Sequence, residues 1–151
     1  MFRHFELSIR LYVGRVAFEK NIPFLFEMVK VLAERYPNVL LVVAGEGPAE
    51  KSLHQLAITL KIEDNIKFIG YLDRETELNA CYKAADVFVF SSKSETQGLV
   101  LLEAMAQGTP VVAIAELGTA SILVEEQGAM ITPESTTVFS EEVAVLIEDH
   151  S

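Results

Sequence analysis

With 151 residues, half of them hydrophobic and 23% charged, the chain has the length and composition of one globular domain with a full core. Its formal net charge of -10 excludes a general nucleic-acid binder, which needs a basic face, and leaves any anionic ligand to local cations or backbone amides. The single cysteine, Cys81, excludes an internal disulfide framework and fits a reducing, cytoplasmic setting, and no apolar run reaches the roughly 20 residues of a membrane span.

In chain order, MFRHFELSIRL alternates where a signal peptide would need a continuous apolar core, and residues 7–13 read as a strand. From residue 22 or 23 to 36, Phe24, Leu25, Met28, Val29, Leu32 and Ala33 follow a helical period, which Pro37 breaks. Residues 39–44 form an almost wholly apolar strand, 48–60 a helix and 66–69 a strand. Asp73 is placed to cap a helix running through Lys83, and Asp86 precedes the strand 87–90. Beyond residue 98, a helix to Gln107 is stopped by Gly108 and Pro110, and a strand follows at 111–113. A short helix over 119–126, a brief strand at 130–131 and an amphipathic helix over 134–148 complete the chain.

Strands apolar throughout and separated by helices predict an α/β fold: a Rossmann-like parallel sheet with helices on both faces. Ligands then sit beyond the carboxyl ends of the strands. The loops that reach there are 14–21, 45–48, 70–72, 91–98 and 114–119.

The stretch SSKSETQGLVLLEAMAQGTPVVA, residues 91–113, organises the rest. Its helix is apolar on nearly every position and so belongs in an interior. The one charge in it is Glu103, and a buried carboxylate is costly unless it lies at an opening or accepts hydrogen bonds. Eight residues upstream stands a second carboxylate, Glu95.

Glu95 and Glu103 resemble the E-x7-E motif of retaining nucleotide-sugar glycosyltransferases of the GT-B fold, the family 4 type (glycosyl transferases group 1). The surrounding letters SETQGLVLLEAMAQGTPVVA are similar to that family almost position by position. The loop VGRVAFEKN, with Gly14, Arg15 and Lys20, is similar to the G-R-x-x-x-x-K-N segment whose Arg and Lys grip the diphosphate of the sugar nucleotide. Physically, Arg offers paired planar N–H groups to phosphate oxygens and Lys a compact charge, and both oppose charge that grows on a departing diphosphate. By itself the pair also reads as solvated cations near a helix start.

The resemblance further implies that Glu103 accepts from the two ribose hydroxyls and that Glu95 contacts the sugar. Residue by residue, the amides of Gln97, Gly98 and Leu99 open the helix and offer an anion site. Gly70 and Tyr71 would meet the base, although a structural turn explains that glycine equally. Gly45 and Gly47, in GEGPAE, are turn formers in a loop beside the nucleotide, where Glu46 would repel phosphate. Against these stand plain alternatives: a carboxylate favoured at a helix amino end for Glu103, and a solvated loop carboxylate for Glu95. Cys81 reads as core packing, and His4, His54 and His150 lack metal-ligand spacing.

The resemblance covers nearly the whole chain and one half of a GT-B enzyme, the half that holds the sugar nucleotide; the amino-terminal, acceptor-binding domain is absent. It implies a hexosyl-type transferase of polysaccharide or glycolipid biosynthesis that moves a sugar to an acceptor hydroxyl with retention. The sugar nucleotide is its substrate and partner, with no metal and no separate cofactor, and any membrane association comes through the other half. This segment alone is expected to be inactive. In AELGTASI the chain departs from the family's G-G-x-P-E, with Ser121 where a glutamate is common. A sugar-nucleotide epimerase half-domain and a non-catalytic nucleotide-binding module are the alternatives.

Overall fold

A computed structural model describes residues 8–73, 76–92, 99–114 and 129–149. Six parallel strands form one sheet: β1 (Ser8–Val13), β2 (Val39–Ala44), β3 (Ile66–Gly70), β4 (Val87–Phe90), β5 (Val111–Ile114) and β6 (Ala129–Thr132), in the order β3-β2-β1-β4-β5-β6. The described helices are α1 (Ile22–Arg35), α2 (Glu50–Thr59), α3 (Leu78–Ala84), α4 (Leu99–Ala106) and α5 (Thr136–Asp149). Every position of β4 and of β5 is buried, so helices cover both faces of the sheet's middle, as continuous apolar strands require.

Sequence order reverses between β1 and β4, which pair directly: Arg10 lies opposite Val87 and Leu11 opposite Phe88. That junction is the topological switch point, and it fixes where a crevice opens at the carboxyl ends. α1 buries Ile22, Leu25, Phe26, Met28, Val29 and Leu32, a stripe at helical spacing. It packs on α5 through an edge-on contact of Phe24 with Phe139, centroids 5.3 Å apart.

Several boundaries differ from the sequence reading. Pro48 and Ala49 form a turn, and α2 starts at Glu50. Asp73 does not cap α3, whose N-cap is Glu77; it accepts at Oδ1 from the Thr76 amide at 3.1 Å while Glu77 Oε1 accepts from the Asp73 amide at 3.0 Å, ahead of the helix. Regular helix begins only at Leu78. α4 is not wholly interior, since Leu102 is 45% exposed. It ends as predicted at Gly108, whose amide bonds the Met105 carbonyl while the Thr109 amide reaches Ala104, the two bonds of a Schellman turn. The helix expected over 119–126 and the loop containing Ser121 lie outside the described residues.

Candidate functional site

The carboxyl ends of β1, β2 and β3 keep bonding past the strands themselves. The Gly14 amide donates to the Ala44 carbonyl at 3.0 Å, the Gly45 amide to Gly70 at 2.8 Å, and the Val16 amide to Glu46 at 3.0 Å. Close approach of these backbones demands glycine: a Cβ on Gly45 would overlap the Gly14 carbonyl oxygen, and one on Gly47 the Val16 carbonyl. The sequence reading took both as turn formers; close backbone packing is what requires glycine at these positions. Gly70 ends β3 with φ +74 and open space where a Cβ would lie, so glycine there serves the backbone conformation and not a close contact.

Between the three loops lies a cleft of about 310 Å³. Gly14, Arg15, Gly45, Glu46, Tyr71 and, from α3, Leu78 are among the residues that line it. Among the described residues Arg15 and Glu46 give it one cation and one carboxylate at its mouth, and Tyr71 is 72% exposed there. An aromatic face, a cation and open backbone at the ends of parallel strands can stack a planar ring and grip an anion.

Arg15 is held from beneath. Tyr12, buried in β1 and stacked on Phe90, donates its hydroxyl to the Arg15 carbonyl at 3.0 Å. Lys20 closes the 3-10 turn Phe18–Lys20 and is half-buried; it is not among the residues lining the cleft. The next residue, Asn21, adopts the left-handed conformation with φ 57 and donates Nδ2 to the Ser91 carbonyl at 3.1 Å. In return Ser91 Oγ bonds the Asn21 carbonyl at 2.8 Å, so the loops after β1 and β4 are stapled across the switch point.

Glu103 stands on the other side of that switch, half-buried on α4, and also does not line the cleft. Its expected hydrogen-bond partner exists. The hydroxyl of Tyr82, fully buried on α3, donates to Glu103 Oε1 at 3.1 Å. Leu99 opens α4, while Glu95, Gln97 and Gly98 lie outside the described residues. The structure thus brings Gly14, Arg15 and Tyr71 together, beside Gly70, and sets Lys20 and Glu103 apart from them.

Sequence reasoning passed over Tyr12, Asn21 and Tyr82. Asn21 carried a signal, since asparagine is the non-glycine residue that tolerates a left-handed cap. It also passed over Arg10, buried in β1 with Nη1 3.9 Å from Asp86 Oδ2, and with Nε and Nη2 lacking hydrogen-bond partners among the described residues. Burial lowers its pKa to about 10, against the opposing pull of Asp86 and Tyr36. Cys81 is half-buried against the core, and burial raises its thiol pKa. Among the described residues no three His, Cys, Asp or Glu side chains gather as a metal site, and no helix is long and apolar enough to cross a membrane.

Residues 6–151 match the model of the family described as Glycosyl transferases group 1. The chain belongs to that family. It is 42% identical over 103 residues to an alpha-monoglucosyldiacylglycerol synthase of Streptococcus pneumoniae, covering 68% of this chain and 23% of that enzyme. To the lipopolysaccharide core biosynthesis glycosyltransferase LpsE of Rhizobium meliloti it is 34% identical over 147 residues, 97% of this chain and 41% of the relative. The chain therefore spans less than half the length of these curated relatives. The crystal structure of the C-terminal domain of a group 1 family protein, LpcC from Francisella tularensis, superposes with a TM-score of 0.82 at 28% identity, covering 95% of this chain and 76% of that one.

Proposed function

We propose that this chain is the sugar-nucleotide-binding half of a retaining glycosyltransferase, in which a hexose passes from a nucleoside diphosphate to an acceptor hydroxyl. The observation that carries this reading is the convergence of Gly14, Arg15 and Tyr71 on one cleft at the carboxyl ends of neighbouring parallel strands. The nucleotide's base lies against Gly70 and Tyr71. Arg15 and Lys20 take the diphosphate, helped by the amides of Gln97, Gly98 and Leu99. Glu103 accepts from the ribose hydroxyls and Glu95 from those of the sugar.

Chemically, the bond from the anomeric carbon to the diphosphate breaks while a bond to the acceptor oxygen forms on the same face. The acceptor's proton leaves on the departing phosphate, and the two cations offset the charge that collects there. The acceptor site belongs to the part of the enzyme beyond this chain, and the partial coverage of the relatives supports that division.

Calorimetric titration with UDP, GDP, ADP and CDP and their sugars tests the reading. One diphosphate should bind, and Arg15→Ala or Lys20→Ala should weaken it more than the matching nucleoside. Equal losses for both ligands would remove the cations from the diphosphate site. Efficient sugar transfer by the isolated chain would overturn the division into two halves.

A further inference from the structure

Tyr82 is a buried polar residue that the reading above does not use. It sits one helical turn after Leu78 on α3, so the same face of that helix lines the cleft and then reaches α4. Its ring packs against Phe88 of β4, centroids 5.7 Å apart, and has no exposed surface. Its carbonyl accepts from Thr109 Oγ1 at 2.7 Å, just past the turn that ends α4. Tyr82 is thus tied to α4 twice, through the exit of that helix and through the Glu103 carboxylate at 3.1 Å.

A phenylalanine would fill the same space. The hydroxyl is therefore the informative atom, because a buried hydroxyl is costly unless it has a partner. A glutamate has three side-chain torsions, and freezing them on binding costs affinity. A phenol locked in the core and donating to Oε1 restricts those torsions beforehand. A carboxylate has about four acceptor positions, so the bond from Tyr82 does not by itself exclude ligand hydroxyls.

We infer that Tyr82 is a positioning residue for nucleotide recognition: its phenol sets the orientation in which the Glu103 carboxylate meets the ribose. This rests on the assignment of Glu103 to the ribose hydroxyls. The shared anchoring of α3 adds a consequence. The helix that contributes Leu78 to the cleft also aligns the carboxylate across the switch point, so the two sides of the nucleotide site are set by one element.

The test uses the tightest-binding diphosphate of the panel and its 2′,3′-dideoxy form, titrated against the unaltered chain, Tyr82→Phe, Glu103→Gln and the double variant. Tyr82→Phe should weaken the ribose-bearing ligand about three- to tenfold and the dideoxy ligand less than about twofold. Glu103→Gln should show the same selectivity with a loss of roughly ten- to a hundredfold, and the double variant should bind no worse than Glu103→Gln. If Tyr82→Phe weakens both ligands alike, or if the two losses multiply, Tyr82 does not act through Glu103. The ribose assignment then stands on the selectivity of Glu103→Gln alone. If Glu103→Gln itself treats both ligands alike, the assignment falls and this inference with it. Fluorotyrosine labelling supplies a second readout that needs no Phe variant: the fluorine signal of residue 82 should move on Glu103→Gln, and an unmoved signal overturns the contact.

Discussion

Arg10 and Arg15 lie five residues apart, one within β1 and the other in the loop that follows it. Within the strand Arg10 is sealed in the core, with two nitrogens lacking hydrogen-bond partners among the described residues and Asp86 at 3.9 Å as its counter-charge. At the carboxyl end Arg15 is exposed at the mouth of a cleft, with its backbone fixed by Tyr12. Residue type and strand are shared; what differs is solvent. A guanidinium that keeps its water can exchange it for phosphate at small cost, whereas one already desolvated has spent that free energy on folding. The parallel sheet itself creates the difference, because its backbone groups open only at its two ends.

The harshest way to break the comparison is to remove the carboxyl-end platform. Gly45→Ala drives a methyl group into the Gly14 carbonyl, backbone against backbone, and should destabilise the chain by about 3 kcal/mol in urea unfolding while abolishing nucleotide binding. Next in size, Arg15→Ala should cost about 1.5–3 kcal/mol of diphosphate affinity and leave the urea midpoint nearly unchanged, as expected of an exposed cation that serves a ligand.

Arg10→Met should do the reverse. Replacing a buried, incompletely bonded charge by an apolar side chain should raise unfolding stability by about 1 kcal/mol and leave nucleotide affinity untouched. The sign with pH follows from the lowered value. Between about pH 10 and the ordinary arginine range, the unfolded chain holds the proton more tightly than the folded one, so Arg10's contribution to stability grows as pH rises through that window. Below it, at neutral pH, the full cost of the buried charge remains, and that cost is what methionine relieves. The gentlest change is Glu46→Gln, which removes the carboxylate sharing the cleft with Arg15. Diphosphate affinity should rise a few-fold at low ionic strength, and the gain should fade as salt screens the pair.

These contrasts also separate what the residues disclose from what they conceal. β2, β4 and β5 were legible because an unbroken apolar run has few uses other than a strand covered on both faces. The end of α4 was legible because Gly108 and Pro110 act locally. Arg10 was not: in SIRLYV it looks like the outward member of an alternating strand, and only its central place in the sheet buries it. The partner of Glu103 was foreseen as a need but not as a residue. Tyr82 is 21 positions away and is brought near by α3, whose regular helix begins five residues after the predicted cap. The cleft itself depends on how closely three loops approach, which glycines permit and no spacing reveals.

The staple between Asn21 and Ser91 has a consequence for how a ligand is received. With each residue bonding the backbone of the other, the turn that carries Lys20 and the first residues after β4 are tied together, so a displacement of one is passed to the other. Any ligand received by both segments would find them already joined, at less entropic cost than bringing together two independent loops.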